Sequence, residues 1–171
     1  MGLDVDNIFP VAKEGGEEFF IAEAEEALRP RIVVKEADQD VDDTEVVVND
    51  TELFMSLSAN QTYEFEIYLN ATEEFVKDPG LRYTFTGPTG SIGRFWETVW
   101  DHSQLTSFRP RAFVAEIARA SASGIGWAAA KGWIKTGDTA GNLQFMWANE
   151  DDTENAYTRI QADSWLKVTR Q

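Results

Sequence analysis

The stretch QTYEFEIYLN, residues 61–70, decides how this chain folds. Tyr63, Phe65, Ile67 and Leu69 alternate with Thr62, Glu64 and Glu66. A period of two belongs to a strand, whose successive side chains point to opposite faces. One face here is apolar and the other charged, which predicts a half-buried strand of an antiparallel sheet.

The same rhythm extends in both directions. In TELFMSLSAN (51–60), Leu53, Met55 and Leu57 alternate with Phe54, Ser56 and Ser58. LRYTFTGPTG (81–90) repeats it with Leu81, Tyr83 and Phe85, then breaks at the turn signal Gly87-Pro88. Further strands are expected at RIVVKE (31–36), RFWETVW (94–100), RAFVAEIARA (111–120), GWAAAKGWIKT (126–136), NLQFMWA (142–148), AYTRI (156–160) and SWLKVTR (164–170). DQDVDDTE (38–45) reads as a polar loop. Two of these segments are alanine-rich enough to pass for helices. The turn-like SASGIG (121–126) separates them, and Gly126 and Gly132 interrupt the second, so both read as strands. About nine short strands with turns every 8–12 residues or so, and no βαβ rhythm, predict an all-β, antiparallel β-sandwich of jelly-roll type.

Residues 1–30 differ from this pattern. EEFFIAEAEEALRP (17–30) places Phe20, Ala24 and Leu28 at four-residue spacing with Ile21 beside them, the apolar face of a short helix that Pro30 would end. Residues 1–50 hold fifteen Asp or Glu against four Lys or Arg, a net of −11 out of −15 for the whole chain. The expected organisation is therefore an acidic N-terminal arm with a short helix over residues 1–30, followed by a β-sandwich domain over 31–171. The acidity reads either as a solvated segment or as an arm lying on a basic partner.

Bulk properties exclude several roles. A net charge of −15 repels phosphates, so no nucleic-acid partner is expected. No apolar run approaches the roughly 20 residues of a membrane helix, so no membrane partner is expected either. The opening MGLDVDNIFP lacks the basic and apolar regions of a secretory signal. The absence of cysteine removes disulfides and thiolate metal sites.

The residues of reaction chemistry are sparse. The sole histidine, His102, stands beside Asp101 with no nucleophile elbow anywhere in the chain, and reads as a surface residue. Asp42-Asp43 and Asp151-Asp152 are acidic pairs without a cleft to make them glycosidase carboxylates. DQDVDD (38–43) spaces its acids as a calcium loop does, but lacks that loop's glycine and closing Glu. GPTGSIG (87–93) has no following Lys to make a phosphate loop. Asn49-Asp50-Thr51, Asn60-Gln61-Thr62 and Asn70-Ala71-Thr72 match the glycosylation acceptor pattern and read as turn residues. No catalytic residues, metal site or cofactor is expected.

Four pieces of the chain then fall into a familiar order. Ala59-Asn60, Thr62-Tyr63 and Phe65-Glu66 match "ANxTYxFE"; Phe85-Thr86, Pro88 and Gly90-Ser91 match "FTxPxGS". Gly137, Thr139-Ala140-Gly141, Leu143 and Trp147-Ala148 match "G-T-AGxLxxxWAQ", with Asn149 in place of the Gln; Ala162, Ser164-Trp165-Leu166 and Arg170 match "xAxSWLxxxR". The span 46–171 resembles a module recurrent in structural proteins of tailed bacteriophages. The resemblance implies a non-enzymatic virion component, β-rich and commonly trimeric: a capsid decoration or cement protein, a head fibre or a tail-associated protein.

On that reading the chain decorates and stabilises a capsid shell as a homotrimer. It binds major capsid protein at the virion surface and assembles in the host cytoplasm. Ile8, Phe9, Phe19, Phe20 and Ile21 are the candidate capsid contacts, unless they cover one end of their own sandwich. Trp96 and Trp100, four apart on one strand face, are the candidate oligomer interface. Trp147 and Trp165 sit in apolar strands and are expected in the core. The alternative is a tail fibre or receptor-binding module that recognises a host surface glycan, since six tryptophans offer faces for sugars.

Overall fold

The computed structural model describes residues 29–42, 44–73, 80–100, 105–106, 110–112, 118–120, 127–149 and 157–171. Among them lie thirteen strands and no helix. They are β1 (Arg31–Val34), β2 (Gln39–Asp42), β3 (Val48–Leu57), β4 (Thr62–Glu73), β5 (Leu81–Thr86), β6 (Ile92–Trp100), β7 (Leu105–Thr106), β8 (Pro110–Ala112), β9 (Ala118–Ala120), β10 (Trp127–Lys135), β11 (Gly141–Asn149), β12 (Tyr157–Ile160) and β13 (Trp165–Arg170).

The strands form two antiparallel sheets packed as a curled sandwich. The large sheet runs β1-β13-β4-β10-β6-β7, with β8 also on β6, and with β12 joining β2 to the far end of β4. The small sheet runs β3-β11-β5-β9. The quoted stretch becomes β4, the long central strand. β10 flanks it on one side; β13 and then β12 flank it on the other.

Every apolar residue expected to face inward on β4 does so: Tyr63, Phe65, Ile67 and Leu69 are buried. From the small sheet Leu53, Met55, Leu57, Leu81, Tyr83, Phe85, Leu143, Phe145 and Trp147 meet them. Phe85 is the hub of this core. Its ring centroid lies 4.8 Å from Phe65, 5.1 Å from Phe95 and 5.5 Å from Phe145, in tilted or edge-on arrangements that the ring quadrupoles favour. The alanine-rich segment is explained by these rings. On β10 the inward row is Ala128, Ala130, Gly132 and Ile134. A Cβ on Gly132 would stand 2.4 Å from Phe65 Cζ and 2.4 Å from the Arg94 carbonyl oxygen. Small residues make room there for large ones on the neighbouring strands.

Each matched motif does a structural job. Asn60, at φ 56°, turns the chain into β4, and its N–H donates to the Gly137 carbonyl at 2.7 Å. The Thr136 hydroxyl donates to the Ser58 carbonyl at 2.8 Å and accepts from the Gln61 N–H at 2.9 Å. Gly90, at φ +79°, lies so close to Gly137 that a Cβ on Gly137 would come within 3.1 Å of the Gly90 oxygen. Three turns are thereby tied together at one end of the sandwich. At the bend between β12 and β13, the Ser164 hydroxyl donates to the Gln161 carbonyl at 2.8 Å and accepts from the Asn70 N–H at 2.9 Å.

Several expectations need correction. The polar loop at 38–45 contains β2: Val41 is buried, while Asp40 and Asp42 point outward. The carboxylates mask a strand whose single inward side chain is apolar. The segment 111–120 is not one strand. It supplies β8 to the large sheet and β9 to the small one. Trp165 is not in the core. It stands half-buried on the outer face, stacked on Tyr68, because it lies out of phase with the inward Leu166 and Val168. Asn49 and Asn70 lie in strands; of the three acceptor-like asparagines only Asn60 turns the chain.

Candidate functional site

Two features of the sandwich surface go beyond what the fold requires. The first is the outer face of the large sheet. Strand register sets Lys167, Glu66, Lys131 and Trp96 in one row across β13, β4, β10 and β6. The next row holds Thr169, Glu64, Trp133 and Arg94. Glu66 binds both lysines: one oxygen pairs with Lys131, and the other accepts from Lys167 Nζ at 3.3 Å. The Lys131 hydrogen bond, with that from Lys167, holds the Glu66 carboxyl below its ordinary value against the opposing pull of desolvation. Glu64, Glu66, Trp96, Lys131, Trp133, Lys167 and Thr169 line an open depression of about 380 Å³.

Two residues further along β4 and β13, and four along β10, the charged band gives way to rings. Tyr68 lies between Trp127 on β10 and Trp165 on β13, at centroid distances of 6.0 and 6.2 Å and interplanar angles of 21° and 16°. The face therefore carries aromatic side chains at both ends of a charged band.

The second feature lies where the sheet edges meet. β1 ends the large sheet and β3 ends the small one. The Arg31 guanidinium spans them, donating to the Ser56 carbonyl at 2.9 Å, and the Glu36 N–H donates to Glu52 at 2.6 Å. Val33, Val34, Ala37, Thr51 and Phe54, together with Glu36 and Glu52, line a shallow groove there of about 460 Å³. Val34 and Phe54 remain 49% and 40% exposed, well above what a sealed sandwich edge would leave. Alternation along β3 does foresee an outward Phe54; that β1 would bring Val34 beside it does not follow from either strand alone.

The sequence-predicted site residues fall as follows. Trp96 lies on the outer face with 37% of its surface exposed, at the depression. Trp100 is on the same strand, opposite Trp127 in register, and its side chain lies outside the described residues. Ile8, Phe9, Phe19, Phe20 and Ile21, with all of residues 1–28 of the expected arm, and His102, Asp101, Asp43 and Asp151-Asp152 also lie outside them. Two acids of the calcium-like stretch, Asp38 and Asp40, are committed to protein partners. Asp40 takes a two-pronged bond from Arg159, Nε to Oδ1 at 2.5 Å and Nη2 to Oδ2 at 2.8 Å, and Asp38 accepts from the Ala162 N–H at 2.9 Å. Arg159 lowers the Asp40 carboxyl accordingly. Among the described residues no cluster of three His, Cys, Asp or Glu is placed to hold a metal.

The Glu66 triad is not legible in the sequence because Lys131 and Lys167 lie 65 and 101 residues from Glu66 along the chain and are brought to it only by register.

No protein-family model matches this chain, and no curated protein matches it. Solved structures are similar only distantly. The N-terminal CBM22-1–GH10 modules of endo-1,4-β-D-xylanase 10B from Clostridium thermocellum, complexed with xylohexaose, share 11% identity over 78% of this chain and 24% of that one, with a TM-score of 0.27. The VP2 subviral particle of infectious bursal disease virus shares 9% identity over 83% and 41%, with a TM-score of 0.21. The Gx strain of the same virus gives 9%, 83%, 39% and 0.16. This chain spans between a quarter and two-fifths of those chains, and likenesses so distant carry no function across.

Proposed function

We propose that this chain is a non-enzymatic viral structural protein that decorates and stabilises a capsid shell as a homotrimer. On this reading it sits at the capsid surface of a virion assembled in the host cytoplasm and binds the major capsid protein. The observation that supports it is the groove at the meeting of the two sheet edges, where Val34 and Phe54 stand exposed beside Glu36 and Glu52. Apolar surface at an edge is a hazard that sandwiches normally cover, and where it persists it marks protein–protein contact. The matched phage-type motifs support the same class, since their described residues hold turns and strands together. A decoration protein gains its grip by multiplying a modest apolar anchor over several copies, which a trimer supplies. The acidic arm leads directly into β1, so its candidate anchors Ile8, Phe9, Phe19, Phe20 and Ile21 would extend the contact that the groove begins.

The test is a particle-binding measurement with the double variant Val34→Glu/Phe54→Glu. Its circular dichroism should remain strand-dominated while co-sedimentation with shells lacking the protein is lost. Unchanged co-sedimentation sinks the groove as the anchor. Copy number decides the placement: hundreds per particle fit a shell, and about a dozen fit a tail.

A further inference from the structure

We propose that the outer face of the large sheet is a binding site for a neutral oligosaccharide, centred on the depression formed by Glu64, Glu66, Trp96, Lys131, Trp133 and Lys167. This goes beyond the decoration reading and does not depend on it.

The charge of the depression argues for the ligand class. Its two carboxylates and two ammonium groups cancel, in a chain whose overall charge is −15. Both ammonium groups are engaged by Glu66. A phosphate or sulfate would have to displace Glu66 from Lys131 and Lys167 and would gain no long-range attraction from the rest of the molecule. A sugar hydroxyl faces no such competition, because it both donates and accepts. It can donate to the outer lone pairs of Glu64 and Glu66 and accept from the remaining ammonium protons. Charge-assisted bonds of this kind are stronger than neutral ones.

The aromatics argue for a ring-shaped, partly apolar ligand. Trp96 and Trp133 stand on adjacent strands, two residues apart in register, at the edge of the charged band. An indole face offers dispersion contact to the C–H face of a pyranose while the equatorial hydroxyls reach the charged groups. A second aromatic cluster, Trp165–Tyr68–Trp127, lies on the same face beyond the band. Trp127 and Trp133 share one face of β10 six residues apart, which is about 20 Å at the usual strand rise. Such spacing suits a chain of several sugars rather than a monosaccharide.

A protein partner fits the face less well. The core of a protein–protein interface is depleted in Lys and Glu, which here occupy the centre, between the aromatics.

The experiment uses the full chain. It is applied to an array of neutral and anionic glycans, and its tryptophan fluorescence is titrated with cellohexaose, maltohexaose and chitohexaose. Binding of at least one neutral oligosaccharide is expected. Trp96→Ala and Trp133→Ala should each weaken it about tenfold, and Glu66→Gln should weaken it severalfold while light scattering shows an unchanged mass. Trp96→Ala and Glu66→Gln carry the test if Trp133→Ala does not fold, since both sites are partly exposed. The proposal is overturned if only anionic glycans bind, if no neutral one binds, or if binding survives Trp96→Ala and Glu66→Gln. It is also overturned if Trp96→Ala lowers the mass of the assembly with no glycan bound by the parent protein, which assigns the face to a second copy of the chain.

Discussion

Two ionic clusters in this sandwich use the same chemistry in opposite settings. Lys35 and Asp50 face each other at 3.1 Å with both side chains fully enclosed. Lys131, Glu66 and Lys167 lie on the open face, 74%, 30% and 34% exposed. The enclosed pair is saturated. Besides Lys35, Asp50 accepts from the Glu52 N–H at 2.9 Å, the Leu53 N–H at 2.8 Å and the Trp147 indole N–H at 3.2 Å. It holds the irregular stretch of β3 where the register against β11 shifts. Burial makes such a group indispensable, because removing one partner strands a charge in a low-dielectric interior. The open triad has water as an alternative partner and contributes little to stability. The enclosed pair is explained by the fold, whereas the open triad is the cluster that the proposed oligosaccharide site draws on.

The contrast is sharpest at Asp50. Asp50→Ala should cost about 3–5 kcal/mol in denaturant unfolding, since it leaves the enclosed Lys35 with only the half-buried Glu52 carboxylate, 3.5 Å away, and strands three further donors. A loss below about 1 kcal/mol would erase the distinction between the clusters. Lys35→Met should cost less, about 1–3 kcal/mol, because Asp50 keeps its two backbone donors and the indole. Gly132→Ala tests the packing beneath the open triad: the added methyl meets Phe65 and the Arg94 carbonyl, for a loss of about 1–3 kcal/mol. Glu66→Gln should change the unfolding free energy by no more than about 1 kcal/mol.

Acid titration extends the comparison with the smallest effect. Glu66, Glu52 and Asp40 all have folded-state pKa values below their ordinary 4.5, 4.5 and 3.8. A carboxyl whose pKa is depressed by folding stabilises the native state above its unfolded value. That contribution is lost as the pH falls through the folded value. Thermal midpoints should therefore hold from neutrality to about pH 5 and decline below about pH 4.5. In Glu66→Gln the decline should be slightly shallower, as one of the three contributors is gone.

Much of this architecture was legible from alternation alone. The four inward residues of β4 and the outward Phe54 follow from period two. What escaped has identifiable causes. β2 was hidden because outward carboxylates on a strand look like those of a loop, and a single inward Val41 makes a weak signal. Trp165 was misplaced because hydrophobicity ranked it with its inward neighbours, whereas phase puts it outside. The Lys35–Asp50 pair and the Glu66 triad were invisible for a deeper reason. Local pattern gives the face that a side chain takes, but the identity of its neighbour across the sheet depends on register between distant segments.

One pairing also governs how the molecule comes into being. β1 lies against β13, with Arg31 opposite Val168, and β13 is the neighbour that β4 needs on one side. On a ribosome those partners are separated by on the order of ten seconds of elongation. From the synthesis of β4 until that of β13, the flank of β4 from Tyr63 to Tyr68 leaves its backbone N–H and C=O groups without their sheet partner. The nascent sheet is thus most exposed to self-association just before β13 arrives.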